Sequence, residues 1–252
     1  MPDNKNAIST TDHNLRIALI GYGKMGKAIE AIATERGHSV VLKINSQNVA
    51  ALTQENLKSA NVAIEFTNPH SVVSNILTCL DAGTPVVCGS TGWLDQMPQI
   101  KKACEEKKGA FLYTSNFSIG VNIFFEINKK LAHLMARQPG YDVSIEETHH
   151  IQKKDAPSGT AISLAEQVLQ EVSRKKIWVN QPSHNAGDLT ITSKRIDPAP
   201  GTHLVRYSSA VDEIEIVHTA HNREGFALGA VLAAEFIYDK KGMFCMQDVL
   251  GL

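Results

Sequence analysis

The chain has 252 residues, 43% of them hydrophobic, which is enough apolar material for one large domain or two smaller ones with buried cores. Its 25 basic and 26 acidic residues give a net charge of -1, which argues against a nucleic-acid binder and favours a small-molecule partner. The four cysteines form no CxxC pair and no apolar run approaches the roughly 20 residues of a membrane span, so we expect a reduced cytoplasmic protein that is not embedded in a membrane.

Short apolar runs alternate with helix-length segments through the first half of the chain. This pattern predicts parallel strands joined by crossover helices, that is, a doubly wound α/β sheet. A helix is predicted from Lys24 to about Arg36, and Pro69 is expected to open another helix that runs toward Asp81. Strands are predicted at 15–20, 38–44, 61–66, 85–90 and 109–115.

The pattern changes after a long predicted helix at 120–137, which Pro139 and Gly140 should end. Runs of strands with few helices between them indicate a second domain of the α+β class with an open mixed sheet. The strongly apolar segment 223–241 returns to helix and is expected to pack back on the first domain. We therefore expect one domain at 1–117, completed by 223–252, and a second at 118–222. The second domain's predicted elements are strands at 141–150, 188–196, 202–209 and 212–220 and a helix at about 159–173.

The segment GYGKMG, residues 21–26, has the spacing GxGxxG at Gly21, Gly23 and Gly26. It follows a predicted strand and opens a predicted helix, the context in which such glycines allow a tight turn and let backbone N–H groups approach a pyrophosphate. An ordinary glycine-rich turn is the structural alternative. The context favours a dinucleotide site.

The end of the second predicted strand bears on the choice of dinucleotide. An acidic residue usually holds the adenosine ribose there, but this chain has Asn45. Asn45 does not repel a 2'-phosphate, and Lys43 or Lys24 could supply positive charge for it, although Lys43 is equally well explained as a solvated lysine at the end of a strand. NADPH is therefore admissible, and NADH remains open.

The segment EETHHIQKKDAPSGTA, residues 146–161, gathers titratable groups just before the helix predicted at about 159–173. Ser158 is a good N-cap for this helix. With hydroxyls from Ser158 and Thr160 and no side chain at Gly159, the helix start is suited to binding a carboxylate.

His149, His150 and Lys153 are candidate general acids, because neighbours such as Glu147 and Asp155 can tune their protonation. A capped helix after a solvated charged loop is the structural alternative. Adjacent histidines on a strand point to opposite faces and cannot easily share one ion, so we predict no metal site.

These residues resemble the 4-hydroxy-tetrahydrodipicolinate reductase family, also called dihydrodipicolinate reductase, along nearly the whole chain. ETHHIQKKDAPSGTA is similar to the family's E-x-H-H-x-x-K-x-D-x-P-S-G-T-A signature, and GSTGW, SNFSIGVN and NREGFALGAVLAAEF also resemble family segments. The resemblance implies an N-terminal Rossmann domain that includes the last helix, and a second domain for substrate binding and for assembly into a homotetramer. It also implies reduction of a cyclic dicarboxylate imine by NADH or NADPH in the diaminopimelate route of lysine biosynthesis.

The resemblance also implies roles for individual residues. His149 would be the acid/base group and Lys153 a second proton donor, while His150, Gly159 and Thr160 would bind substrate carboxylates. The glycine-loop residues Tyr22, Lys24 and Met25 would contribute to cofactor binding. The remaining cofactor contacts would be Gly89, Ser90, Thr91, Ser115, Asn116 and Phe117 on the nicotinamide side and Arg223 at the domain hinge.

The sequence departs from the family pattern at two places. GYGKMG is one residue shorter than the usual GxxGxMG, which affects the contact at Tyr22, and Asn45 replaces the usual acidic residue. Two other functions fit the same plan: an amino-acid or aldehyde dehydrogenase, and a redox sensor that binds NAD(P)H. The aldehyde enzyme is disfavoured because Cys88 and Cys104 offer no convincing activated thiol, and a sensor needs no general acid beside an anion site.

Overall fold

The computed structural model describes residues 14–222 and 224–252, which form two units, 14–118 with 224–252 and 119–222. Arg223 lies outside the described residues. The helices are α1 (Lys24–Glu35), α2 (Gln54–Leu57), α3 (Val72–Asp81), α4 (Met97–Glu106), α5 (Ile119–Met135), α6 (Gly159–Glu171), α7 (Glu224–Ile237) and α8 (Met246–Leu250). The strands are β1 (Arg16–Ile20), β2 (Ser39–Ile44), β3 (Val62–Glu65), β4 (Val86–Cys88), β5 (Ala110–Tyr113), β6 (Asp142–His149), β7 (Ile177–Val179), β8 (Asp188–Arg195), β9 (Gly201–Ser208), β10 (Glu213–Ala220) and β11 (Gly242–Phe244).

The first unit is built on a parallel sheet with the strand order β2-β1-β3-β4-β5-β11. Successive side chains of a strand point to opposite faces, so a strand covered on both faces reads as a continuous apolar run. In β1, Leu19 packs in a core with Ile29 of α1 and Ala230 of α7, whereas Ile20 packs in a second core with Ile76 of α3. The doubly wound fold expected from the sequence is confirmed.

Helix α7 belongs to the first unit although it follows the whole second unit in sequence. A Cβ atom on Gly229 would lie 1.8 Å from the backbone oxygen of Phe117, so the helix lies closer to the backbone there than any residue with a side chain would allow. Glu235 also accepts from Arg36 and contacts the His38 ring nitrogen, each at 2.7 Å. Helix α7 therefore packs in the core of the first unit.

The second unit is a mixed sheet with the strand order β10-β9-β6-β8-β7, in which β9 is antiparallel to β6 and to β10. Helices α5 and α6 pack on one face of it. The core on that face joins Val143 and Ile145 of β6 to Leu164 of α6 and Leu189 of β8. The expected α+β organisation of this half is confirmed.

Several local predictions differ from the structure. Pro69 does not open a helix: the Asn68 side chain accepts from the N–H of His70 at 2.9 Å, and this turn delays α3 until Val72. The short strands β7 and β11 and the helices α2, α4 and α8 were not predicted individually, because elements this short carry little periodic signal. Within the described part of the chain, no helix is long and apolar enough to cross a membrane.

Candidate functional site

A cavity of about 460 Å³ lies in the first unit at the carboxyl edge of its sheet. It is formed by the loops after β1, β2 and β3, and β1 has β2 on one side and β3 on the other. Open α/β sheets bind ligands where the strand order reverses in this way. Residues that line the cavity include Gly21, Tyr22, Gly23, Asn45, Ser46, Phe66, Thr67, Asn68 and Ser71.

The three glycines of the loop after β1 have different surroundings. A Cβ atom on Gly21, which has φ +97°, would lie 1.9 Å from the Phe66 oxygen, and one on Gly26 would lie 2.7 Å from the Gly21 oxygen. Gly23 borders open space and begins α1 without a side-chain cap. Two glycines therefore make the turn possible, and the third exposes helix N–H groups to the cavity, an arrangement that fits a dinucleotide pyrophosphate.

Lys43, a candidate ligand for a 2'-phosphate, forms an ion pair with a neighbouring residue. Its Nζ lies 2.6 Å from Oε1 of Glu30, and Tyr22 donates to the same carboxylate. Lys43 and then Tyr22 hold the pKa of Glu30 below its usual value. At the end of β2, Asn45 lines the cavity and its Oδ1 accepts from Gln47 N–H at 2.8 Å. The structure thus offers neither an acidic ribose ligand nor an unpaired Lys43 at this edge of the described cavity.

The other predicted residues of the glycine loop lie outside the cavity lining. Lys24 is exposed at the first position of α1, and Met25 packs against the hydrophobic core. Gly26 is buried beneath Gly21. These three residues contribute to the start of α1 and to the packing of this helix.

The loops after β4 and β5 pack closely on Phe66, which follows β3. A Cβ atom on Gly89 would lie 2.2 Å from the Phe66 ring, and the rings of Phe66 and Phe117 have centroids 5.5 Å apart. Ser90 Oγ accepts from Thr67 N–H at 2.8 Å. Thr91 and Ser115 are exposed, and the Asn116 side chain accepts from the N–H of Ser118.

Sequence reasoning missed the loop after β3, which supplies Phe66, Thr67, Asn68 and Ser71 to the cavity. The buried Glu65 carboxylate accepts from Thr67 N–H at 3.1 Å and so helps to set this loop. The strand order identifies this loop as part of the cavity, because it places the end of β3 beside the end of β1. A linear sequence does not state that order.

A second polar cluster lies in the other unit, at the end of β6. Strand alternation places Val143, Ile145, Glu147 and His149 on the buried face. The Glu147 side chain has no exposed surface and that of His149 is 10% exposed, with Nδ1 of His149 2.8 Å from Oε2 of Glu147. The ring N–H is not directed straight at the oxygen, so the contact is mainly electrostatic.

Two neighbouring strands add to this cluster. His203 of β9 and Ser193 of β8 are the cross-strand partners of Glu147. The rings of His203 and His149 have centroids 5.1 Å apart and are inclined at 73°, an edge-to-face contact. His203 therefore contacts His149 from across the sheet.

Ser158 connects His203 to the start of α6. Its Oγ accepts from Ala161 N–H at 3.2 Å, which confirms the predicted N-cap, and lies 3.0 Å from Nε2 of His203. A hydroxyl oxygen can accept two hydrogen bonds and donate one, so the tautomer of His203 decides which of the two side chains donates in this contact. The Ser158 hydroxyl is buried and serves as cap and as partner of His203.

Arg195, at the end of β8, joins the cluster to the loop between β6 and α6. Its Nη2 donates to Oε1 of Glu147 at 3.0 Å and to the backbone oxygen of Asp155 at 2.6 Å. Nε donates to the backbone oxygen of Lys153 at 3.3 Å. Lys153 in turn lies 2.9 Å from each carboxylate oxygen of Asp155.

The pKa values of this cluster follow from burial and these neighbours. Burial would raise the pKa of Glu147, but hydrogen bonds from Ser158, Ser193 and Arg195 outweigh it and hold that pKa below its usual value. Burial lowers the pKa of His149, with Glu147 acting in the opposite direction and Lys153 adding to the decrease. Burial, with His149 nearby, lowers the pKa of His203 to about 4. Lys153 lowers the pKa of Asp155.

The start of α6 offers an open polar surface. Gly159 is exposed, with no atom within 4 Å of the position a Cβ would take, and Thr160 is half-buried. Helix geometry directs the first N–H groups outward along the axis. His150 is half-buried, and its Nδ1 has no hydrogen-bond partner among the described residues.

Among residues 14–222 and 224–252, one group has the ligand types and spacing of a metal site: Glu147, His149 and His203, whose candidate ligand atoms lie within 4.8 Å of one another. In this group His149 is joined by Glu147 and His203 and not by the adjacent His150. The positive charges of Arg195 and Lys153 beside the cluster oppose a divalent cation. We keep the absence of a metal as an expectation.

Sequence reasoning left Glu147 without a catalytic role and missed His203, Ser193 and Arg195. The period-2 alternation Val143-x-Ile145-x-Glu147-x-His149 was a readable signal that Glu147 is buried with His149. His203 and Arg195 come close only through the pairing of β6 with β9 and β8. Nothing in the linear sequence gives that register.

Comparisons with known proteins agree with this architecture. Residues 15–117 match the family model for the N-terminus of dihydrodipicolinate reductase, and residues 120–250 match that for its C-terminus. The chain is 47% identical over 239 residues to 4-hydroxy-tetrahydrodipicolinate reductase of Christiangramia forsetii, covering 94% of this chain and 98% of that protein. It is 36% identical to the protein of the same name from Chromobacterium violaceum, covering 86% and 81%. The solved structure of dipicolinate-bound dihydrodipicolinate reductase from Paenisporosarcina sp. TG-14 has the same fold, with a TM-score of 0.76, 23% identity and coverage of 94% and 99%.

Proposed function

Because the chain belongs to the dihydrodipicolinate reductase family, we propose that it reduces 4-hydroxy-tetrahydrodipicolinate through the polar cluster at the end of β6 and the start of α6. The chain is an oxidoreductase of the diaminopimelate route of lysine biosynthesis that uses NAD(P)H. The observation that carries the site is the buried contact between His149 and Glu147 beside a capped helix N-terminus.

The overall reaction is balanced by one hydride and one proton. The substrate first loses water, because its hydroxyl leaves together with a proton from the neighbouring ring carbon. Hydride then goes to the carbon that carried the hydroxyl, and a proton goes back to the neighbouring carbon. A bound NAD(P)H supplies the hydride. The residues proposed to hold it are Gly21, Gly23 and Asn45 of the cavity in the first unit, with the predicted contacts at Gly89, Ser90, Thr91, Ser115, Asn116, Phe117 and Arg223 as further candidates.

His149 is the proposed proton donor to the ring carbon. Its Nδ1 is buried against Glu147, so the remaining ring edge is the one that can meet a substrate. The first residues of α6, Gly159 and Thr160, would bind a substrate carboxylate, with His150 as a further ligand. Fixing the ring by its carboxylates supplies the orientation that proton transfer needs.

Lys153 is proposed to contact the same carboxylate and to serve as the second proton donor. Its side chain is 22% exposed and is held by Asp155, whose backbone is tied to Arg195. A dianionic substrate would offer Lys153 a stronger partner than the exposed Asp155 carboxylate. Lys153 is therefore positioned near the start of α6 before substrate arrives.

An aldehyde dehydrogenase is less well supported, because such an enzyme needs an activated thiol. Cys79, Cys88 and Cys104 are buried, and burial raises the pKa of the Cys88 thiol. A redox sensor has no use for His149 beside a carboxylate-binding helix start. Both alternatives predict no turnover of the reductase substrate.

The test follows oxidation of NADPH and NADH with enzymatically generated 4-hydroxy-tetrahydrodipicolinate. We expect turnover by the wild type and a decrease in kcat of about 10²- to 10⁴-fold for His149→Gln, the usual contribution of a general acid. Lys153→Ala should raise the KM for substrate and lower kcat. The matched controls are the exposed His184→Gln and Lys154→Ala.

Cofactor binding by the wild type without turnover would exclude the reductase. Equal kcat for His149→Gln and wild type would exclude only the assignment of His149. The ratio of kcat/KM for the two cofactors decides the preference that Asn45 leaves open.

The assembly and location are also proposals. The family resemblance supports a homotetramer formed through the second unit, whose sheet has its core on one face only. Light scattering after size-exclusion chromatography tests it, and a mass of about 27.5 kDa, that of one chain, would exclude it. A cytoplasmic location is proposed from the biosynthetic role and is tested by cell fractionation.

A further inference from the structure

We propose that Glu147 and His203 are positioning residues that hold the His149 ring in its working orientation and join it to the carboxylate-binding start of α6. This inference rests on the proposed function. Neither residue is assigned a role by the family resemblance.

The placement of Glu147 fits this positioning role. Its carboxylate is fully buried, with Oε1 accepting from Arg195 and Oε2 facing Nδ1 of His149. Neither Oε2 nor Nδ1 has a hydrogen-bond partner elsewhere in the part of the chain that the structure describes. A buried carboxylate beside an imidazole favours the tautomer with the proton on the near nitrogen. Glu147 therefore puts the hydrogen of neutral His149 on Nδ1 and leaves Nε2 to exchange a proton with substrate.

The opposite edge of the His149 ring lies beside Gly201. A Cβ atom on Gly201 would lie 3.1 Å from Nε2, closer than ordinary contact. A larger residue at this position would therefore press on the ring, whereas glycine lets the ring keep its place beside the Glu147 carboxylate.

His203 makes two contacts that matter for this role. Its ring meets that of His149 edge to face, and its Nε2 lies 3.0 Å from the Oγ of Ser158, the cap of α6. One buried imidazole therefore touches both the proposed proton donor and the residue that shapes the proposed carboxylate site. Displacing His203 should disturb proton transfer and substrate binding together.

Charged groups face His149 from three segments: Glu147 on its own strand, Arg195 on β8, and Lys153 and Asp155 on the loop before α6. His203 faces it from β9. Glu147 and Asp155 favour the protonated ring, and Lys153 and Arg195 oppose it. Removing the Glu147 charge should therefore lower the pKa of His149.

The test compares Glu147→Gln with Glu146→Gln. Glu146 is the adjacent residue on β6, lies on the opposite face and pairs with Lys194, so its variant removes the same charge without touching His149. We expect Glu147→Gln to lower kcat by about 10- to 100-fold, part of what a positioned general acid contributes. The Kd for NADPH should not change, and the alkaline decrease of kcat/KM should move to lower pH. The control should match wild type in all three measurements.

A spectroscopic measurement makes the inference independent of turnover. The ¹⁵N shifts of the His149 ring should report hydrogen on Nδ1 in the wild type and loss of that preference in Glu147→Gln. If the proposed function fails and the wild type shows no turnover, this comparison still decides the tautomer assignment. An unchanged ¹⁵N pattern together with kcat within twofold of wild type would overturn the role of Glu147.

Because Glu147 is buried, its glutamine variant could lose the fold, which circular dichroism would reveal. Glu147→Asp then replaces it, since this variant keeps the charge and moves it by one methylene. We expect kcat between those of wild type and His149→Gln, with the hydrogen retained on Nδ1. Loss of the Nδ1 preference in a folded Glu147→Asp with wild-type kcat would overturn the inference.

His203→Gln tests the coupling, because an amide can still form a hydrogen bond with Ser158 but cannot fill the ring contact with His149. We expect a lower kcat and a higher KM for substrate together, with unchanged NADPH affinity. The exposed His184→Gln is the control. A change in KM alone or in neither constant would overturn the role of His203.

Discussion

At the scale of single residues, the second unit buries polar side chains away from water and stabilises them through contacts with individual neighbours. Glu147 has no exposed surface and is stabilised by Arg195, Ser193 and Ser158. His203 is 5% exposed and hydrogen-bonds the Ser158 hydroxyl. A buried polar group that loses its partner costs about 1–3 kcal/mol, so each of these contacts affects stability as well as chemistry.

The pH dependence of stability tests the burial of His203. Burial lowers its pKa from 6.5 to about 4, so between these values the unfolded chain binds the proton that the folded one rejects. The stabilisation is complete above pH 6.5 and is lost as the pH falls toward 4, by up to ~3 kcal/mol. Urea unfolding at several pH values should show a smaller acid loss for His203→Gln than for wild type. Parallel pH curves for the two proteins would contradict the assignment.

Gly201 gives a second residue-level prediction. Gly201→Ala would place a Cβ atom 3.1 Å from Nε2 of His149, so the ring would have to move by a few tenths of an ångström. We expect kcat to fall by about two- to fivefold, because misplacing a catalytic group by 1 Å can cost 10²-fold and this displacement is a fraction of that. Gly140→Ala is the control, since no atom lies within 4 Å of its Cβ position. Equal kcat for the two variants would show that the His149 ring tolerates a Cβ atom at residue 201.

At the scale of elements, the sites depend on where strands and helices begin and end. The loops after β1 and β3 meet because these strands are neighbours, and the end of β6 meets the start of α6 through Ser158 and His203. Helix α7 completes the first unit by lying directly against the backbone at Phe117. Phe117 is also a predicted cofactor contact, so the packing of α7 and the cofactor site are linked.

The packing of α7 can be tested with two glycines of the same helix. A Cβ atom on Gly229 would lie 1.8 Å from the Phe117 oxygen, whereas one on Gly225 would find its nearest atom, Ser118 Oγ, at 3.9 Å. Gly229→Ala should lower the free energy of unfolding by roughly 1–3 kcal/mol or more and weaken NADPH binding. Gly225→Ala should be neutral or raise stability by up to about 1 kcal/mol. Chemical unfolding and NADPH titration measure both, and similar losses in the two variants would contradict this packing.

At the scale of the whole molecule, the described chain forms two units, each with its own sheet and core. The cavity proposed for the dinucleotide belongs to the first unit, and the His149 cluster belongs to the second. The two proposed ligands should therefore stabilise different parts of the chain.

Hydrogen exchange can test this division. NADPH at 100 times its Kd should stabilise the binding unit by about 2.7 kcal/mol and slow exchange through its opening by roughly 100-fold. We expect this protection in β1, α1 and β3, and protection by the dicarboxylate substrate in β6 and α6. Protection of the first unit by the substrate alone would contradict the assignment of the sites. Each ligand is tested separately before the two are combined.

The sequence by itself determined the fold class, the order of the long elements and most of the candidate residues. Apolar runs of five or six residues separated by helix-length segments predict β1 to β3 and α1, because strand burial and helix amphipathicity are local properties of the pattern. The glycine spacing at 21–26 and the cap at Ser158 are also local, and both occur in the structure as predicted. The family resemblance chose His149 over its neighbours, which spacing alone did not do.

Only the tertiary structure decided which distant residues meet. Glu30 with Lys43, Phe66 with Gly89, and His203 with both His149 and Ser158 are contacts between separate elements. They depend on strand order and on pairing register. A one-residue shift in register would move the side chains of a strand from the buried face to the exposed face. The burial that lowers the His203 pKa comes from the same packing. A linear sequence specifies these contacts only through the folded chain, which brings residues 54 positions apart, such as His149 and His203, into one buried cluster.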